Sequence, residues 1–128
     1  MIVHTVHGVR VVNACKHPLT FGNPDNPKDD AGIVVVPPSG VVINAEMRSE
    51  AVGTKAGAEL FKVTIWQDPA STADVDRLEQ EHPDALIVGS LIAAQAYPGR
   101  VVAMVALPGF ERMPPDQKRM NPRKFTVY

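Results

Sequence analysis

The chain has 128 residues, a formal net charge of −1, 45% hydrophobic and 21% charged residues, and one cysteine. That length suits a single domain whose core stands without disulfides or a structural metal. The near-neutral charge argues against a broad basic surface for extended nucleic acid, and lone Cys15 excludes an internal disulfide and fits a reducing cytoplasm.

In chain order, the Val-rich opening predicts a strand at Val9–Val12, preceded by a possible extra edge strand. His17-Pro18 holds the backbone extended and leads into a short strand, Leu19–Phe21. Gly22–Gly32 has no apolar period and reads as a solvated loop. Ile33–Val36 and Val41–Ala45 flank Pro37-Pro38-Ser39-Gly40, which predicts a β-hairpin. Met47–Ala58 is polar and glycine-containing and reads as a loop or ragged edge, and Leu60–Trp66 alternates as a half-buried strand.

Acidic residues and a thin apolar stripe at Ala73, Val75 and Leu78 predict a short surface helix or turn over Ala73–His82, ended by Pro83. Leu86–Val88 then reads as a buried strand. Gly89 permits a sharp turn, Ser90 is a preferred N-cap, Leu91–Tyr97 makes about two helical turns, and Val101–Val105 is another strand. The eleven residues Gly89–Gly99 are just enough for a parallel crossover and equally suit an antiparallel pair. From Pro108 onward the chain reads as a proline-rich basic tail. The expected architecture is α+β: a mostly antiparallel sheet of about six strands packed on one or two short helices. It forms one domain over 1–128, with 108–128 docked on the body or on a neighbouring subunit.

Few residues form a chemical constellation. His4 and His7 point to opposite faces of a strand, and no Cys or His cluster completes a metal site. The loop acids Asp25, Asp29 and Asp30 lack calcium-loop spacing. Ser90 lacks the second glycine of a nucleophile elbow. What remains is an anion site: Gly89-Ser90 opens a helix directly after a strand and presents free backbone N–H groups. Phe110–Lys124 holds five basic residues against two acidic ones, and Arg112 and Arg119 suit bidentate phosphate contacts. His17 is a further ligand-binding candidate, near the Pro37–Gly40 turn. No cofactor is expected.

Asn13-Ala14-Cys15-Lys16-His17-Pro18-Leu19, Pro37-Pro38-Ser39-Gly40 and Ile87-Val88-Gly89-Ser90-Leu91-Ile92-Ala93 occur in this order. Over roughly residues 11–100 the chain thereby resembles small phage and prophage proteins akin to the first Thoeris anti-defence family. It departs from that pattern at Ala14-Cys15-Lys16, and Phe110–Tyr128 has no counterpart in it. The resemblance implies a sponge that sequesters a cyclic ADP-ribose-type or cyclic oligonucleotide immune signal without cleaving it. It also implies assembly as at least a homodimer.

The expected partners are therefore a small anionic nucleotide and further copies of the chain, with no extended nucleic acid and no membrane. The expected location is the cytoplasm, that of the host cell if the protein is phage-encoded. Two alternatives stay open. One is a phosphodiesterase-like enzyme with His17 as general acid or base and Arg112 stabilising phosphate charge. The other is a phage structural or assembly protein.

Overall fold

The computed structural model describes residues 2–128. Strands β1 (Val3–Val6) and β2 (Val9–Asn13) form an antiparallel hairpin. His7 and Gly8 both take positive φ, 46° and 84°, the geometry of the turn that matches strand twist. β3 (Leu19–Phe21) and β4 (Val34–Val36) follow, joined by the long loop over residues 22–33. Two long strands, β5 (Ala45–Lys55) and β6 (Ala58–Gln67), pair only with each other. Helix α1 (Pro69–Glu81), β7 (Leu86–Val88), helix α2 (Leu91–Ala96), β8 (Val101–Ala106) and β9 (Met120–Thr126) complete the chain.

Seven strands make one sheet in the order β1-β2-β7-β8-β9-β3-β4, curled into a nearly closed barrel. β2–β7, β7–β8 and β3–β9 are parallel; β1–β2, β8–β9 and β3–β4 are antiparallel. Neighbouring residues along the strands divide between two cores. Val12, Ile87 and Val101 face the helices with Val75, Leu78, Ala93 and Tyr97. Val11, Val88 and Val102 face the barrel interior with Val6, Phe21 and Val36. Both faces are buried, which is why Leu86–Val88 and Val101–Val105 read as unbroken apolar runs.

The expected α+β sheet of about six mostly antiparallel strands is therefore corrected. The chain is 41% strand and 15% helix, with a mixed seven-stranded sheet and a separate two-stranded hairpin. The physical reason lies in Gly89–Gly99. α2 packs back on the sheet and carries the chain from β7 to a parallel β8, with buried Ala93, Ala94 and Ala96 allowing close approach. Gly89 is required here, because a Cβ would lie 2.7 Å from Val101 Cγ1 and 3.2 Å from Ala93 Cβ.

Three local expectations also change. Pro37–Gly40 does not turn β4 into a hairpin. This stretch and the residues after it are sewn across the end of β2, with Ser39 N–H donating to Asn13 O (3.0 Å) and Ile43 N–H to Ala14 O (3.1 Å). The polar Met47–Ala58 stretch holds most of β5, and its hairpin turn is Ala56-Gly57, both at positive φ. The proline-rich C-terminal segment supplies β9, an interior strand between β8 and β3. Pro122 is tolerated there because the β8–β9 register slips between Met104 and Ala106, so the missing N–H falls in an irregular stretch.

Candidate binding groove

β2 and β7 are adjacent and parallel, and their C-terminal ends lie together. Asn13 pairs with Val88, and Ala14 N–H donates to Val88 O at 2.8 Å. Beyond those ends the two chains part, β2 toward β3 and β7 into α2. Such divergence opens a crevice in sheets containing parallel strands. A cleft of about 320 Å³ lies there, lined by Cys15, Lys16, His17, Ile43, Asn44 and Ser90 among others. A second cleft of about 270 Å³ shares Cys15 and His17 and continues past Pro18, Leu19, Met104, Lys118 and Met120. The two clefts adjoin at Cys15 and His17 as one groove, with Ser90 and Asn44 lining the first part and Met104 and Met120 the second.

Asn13 sets the groove's shape. Fully buried, it donates through Nδ2 to His17 O (2.8 Å) and Val36 O (3.1 Å), and accepts through Oδ1 from Cys15 N–H (2.9 Å). One side chain thus fixes the loop that carries Cys15, Lys16 and His17. On the opposite wall Ser90 caps α2, its Oγ accepting from Ala93 N–H at 3.1 Å. Asn44 is held by its own N–H donating to Ser71 Oγ at 2.8 Å. Cys15 Sγ faces Val88 O at 3.7 Å. Burial pushes its thiol pKa up, so it stays neutral and is no activated nucleophile. Because the fold favours the protonated thiol, Cys15 leaves stability unchanged below its ordinary value of 9.0 and lowers it as pH rises beyond that.

The charges separate this groove from two of the other three clefts, the third sharing Lys118 with it. One of about 350 Å³ beside α1 is lined by Glu79, His82 and Arg100, but Arg100 is paired with Asp76 and Glu79. Hydrogen bonds to Glu79 first and Asp76 second hold that guanidinium's pKa above its ordinary value. Another, of about 440 Å³, includes Arg10, which is paired with Asp84. A third, of about 390 Å³, includes Arg119, which is also engaged. Lys16 and Lys118, flanking the groove, have no carboxylate partner among the described residues.

Of the expected site residues, the structure brings His17 and Ser90 together. Gly89 lies behind them, buried against Val101 and Ala93, as a packing element. Arg112 is exposed and lines none of these clefts. Arg119 is a clamp: it donates to Pro27 O (3.0 Å) and Asp29 O (3.1 Å), pairs with Asp30, and lies 5.0 Å over the Phe110 ring. Arg119→Ala is expected to cost about 1–3 kcal/mol, since it leaves charge-assisted bonds unmade. It should also loosen residues 22–32; an unchanged melting temperature and unchanged amide exchange in that loop would contradict this role. Asn13, Lys16, Asn44 and Lys118 were missed as site residues. Their sequence signals are weak: Asn13 ends a strand, Asn13 and Lys16 lie within the Asn13–Leu19 segment, and Asn44 and Lys118 carry no motif.

Among the described residues no group of His, Cys, Asp and Glu is arranged to hold a metal ion, and no helix is long and apolar enough to cross a membrane. Comparison with protein-family models, curated proteins and solved structures finds no match to this chain.

Proposed function

We propose that the protein binds a small anionic ligand of the nucleotide type in the Cys15–His17 groove and holds it unchanged. The observation that carries this reading is the pair of adjoining clefts at the diverging ends of β2 and β7, one lined by Lys16 with Ser90 and the other by Lys118 with Met104 and Met120. Phosphate charge suits Lys16 and the capped start of α2 in the first cleft, and a flat base suits the Met104–Met120 cleft beyond Cys15 and His17. His17 uses its carbonyl, not its ring, in the bond with Asn13, and Cys15 is held neutral. The groove therefore offers recognition groups without an oriented base or an activated nucleophile. The resemblance of residues 11–100 to anti-defence sponges narrows the ligand to a cyclic nucleotide immune signal, sequestered in the cytoplasm of an infected host.

The test is to incubate the protein with cyclic ADP-ribose or a cyclic dinucleotide, denature it by heat, and analyse the released nucleotide. Intact ligand, depleted from solution before heating, supports sequestration. A linear product would establish a phosphodiesterase instead, and no depletion would remove the binding reading.

Ser90 separates fold from function. Ser90→Ala is expected to lose a cap worth about 0.5–2 kcal/mol. Ser90→Asp keeps a capping oxygen but places negative charge where phosphate would sit, so stability should hold while binding falls by roughly tenfold or more. Equal binding by Ser90→Asp and the parent would exclude the helix start from the site.

A further inference from the structure

The connection from β8 to β9 has a firmly held base and an unsupported tip. At the base Leu107 N–H donates to Arg119 O at 2.8 Å, so the two ends of the loop touch. They also press on the end of β3: a Cβ at Gly22 would lie 2.6 Å from Leu107 Cδ1 and 3.2 Å from Arg119 Cβ. Phe110 belongs to this base, its N–H donating to Leu107 O at 2.9 Å and its ring lying 5.0 Å from the Arg119 guanidinium. Glu111 is tied in as well, Oε2 accepting from Gly109 N–H at 2.9 Å. Beyond Glu111 the support stops. Among the described residues, Arg112 to Gln117 make only the long Met113 N–H to Phe110 O bond (3.4 Å) and Gln117 N–H to Pro114 O (2.9 Å) within the tip. Compact loops with closed ends are frequently functional.

The tip also stands clear of the sheet. Arg112 to Gln117 are all exposed, although Met113, Pro114 and Pro115 in the middle are apolar. Space lies on both sides. The groove's second cleft, about 270 Å³, reaches Pro115 and Lys118. A neighbouring cleft of about 390 Å³ is lined by Met113, Asp116 and Gln117 with the same Lys118, and Thr20 lines both. The two prolines have fixed φ angles, so the tip keeps its own shape and moves as one piece.

We infer that Arg112–Gln117 is a lid that closes over the occupant of the Cys15–His17 groove. The inference rests on the reading of that groove as a ligand site. With the groove empty, the apolar tip has clefts rather than side chains beside it. A bound ligand supplies the missing surface, so Met113 and Pro115 gain burial only when the groove is filled. Closure covers the ligand on the Met104–Met120 side, next to Lys118, and must reopen before release. The lid lies in Phe110–Tyr128, the segment without a counterpart in the sponge pattern, so it is a feature of this chain.

The experiment is limited trypsin cleavage of the full chain at Arg112–Met113, with and without saturating cyclic ADP-ribose or cyclic dinucleotide. Binding is verified by a rise in melting temperature, and cleavage at Lys55–Ala56, in the distant β5–β6 turn, is the internal standard. Closure predicts cutting at Arg112 slowed roughly tenfold or more while Lys55 is cut at its usual rate. Bound nucleotide with unchanged cutting at Arg112 would overturn the lid and leave the groove intact. No rise in melting temperature would remove the groove reading, and the lid with it. A second readout needs no ligand: in the free protein the amides of Arg112, Met113, Asp116 and Gln117 should exchange roughly a hundredfold or more faster than those of β8 and β9. Exchange as slow as in those strands would overturn the lid. Replacing Arg112–Gln117 by a Gly-Ser segment of equal length spares Lys118 and the base. That variant should keep its circular dichroism and release nucleotide roughly tenfold or more faster. An unchanged release rate would contradict a closing lid.

Discussion

Ending the chain after Arg119 is expected to abolish cooperative folding. The removed residues include β9, the strand between β8 and β3, so both neighbours would become raw edges inside what is now a continuous sheet. Phe125 would leave Phe21, whose ring it meets at a centroid distance of 6.2 Å, and Met120 would leave the same interior cluster. Domains of this size have total stabilities of about 5–15 kcal/mol, and loss of an interior strand exceeds that reserve. Phe125→Ala is the graded version. Its ring is only partly buried, so about 2 kcal/mol is expected, below the range for a fully buried phenylalanine. Thermal denaturation followed by circular dichroism reads both. A truncated chain that melts within a few degrees of the full one would mean that β9 is peripheral.

Replacing Asn13 is expected to damage the groove and the fold together. Asn13→Ala leaves His17 O, Val36 O and Cys15 N–H without their side-chain partner in a buried position, and such orphaned groups cost about 1–3 kcal/mol each. Some relaxation of the exposed His17 end reduces the sum, so about 3–5 kcal/mol is the expected loss. Asn13→Asp should be worse than alanine at neutral pH. It keeps the acceptor for Cys15 N–H but points an anionic oxygen at two carbonyl oxygens. Asp below Ala is specific to the donor role; if Asn13 served only as an acceptor, Asp would rank above Ala. Denaturant titration of the three proteins decides it. The accelerated alkylation of Cys15 in Asn13→Ala would report the loosened loop.

These two predictions rest on features that the sequence hid in different ways. β2, β3, β4, β7 and β8 are short apolar runs bounded by turn residues, so their existence is legible from residue type alone. Their pairing is not, because Gly89–Gly99 is long enough for either sense; packing of the alanine-rich α2 on β8 decides it. β9 was obscured by Pro114, Pro115 and Pro122, which are loop signals in isolation, and only the slipped β8–β9 register makes Pro122 compatible with a strand. β5 was obscured by exposure. Met47, Ser49 and Ala51 do alternate with Glu46, Arg48 and Glu50, but one row is small and weakly apolar, and solvent on both sides of an arm leaves little periodic contrast.

The groove was half legible. Ser90 announces itself by following a strand and opening a helix, and His17 by preceding proline. Lys16 and Lys118 are ordinary surface lysines until the fold places them on two adjoining clefts that share Cys15 and His17, a hundred residues apart in the chain. Arg119 shows the reverse. Its basic setting suggested phosphate, whereas the carbonyls of Pro27 and Asp29 and the carboxylate of Asp30 already use its guanidinium.

The central claim is that the ligand sits between Cys15, His17 and Ser90, and Cys15 supplies a reporter inside that space. The direct measurement is the rate of Cys15 alkylation by iodoacetamide in the full chain, with and without saturating cyclic ADP-ribose or cyclic dinucleotide. Binding is verified in the same sample by a rise in melting temperature. Occupancy of the groove predicts alkylation slowed by roughly tenfold or more, as bound ligand shields a neutral, partly buried thiol. A nucleotide that raises the melting temperature but leaves the alkylation rate unchanged would place the ligand elsewhere and contradict the account.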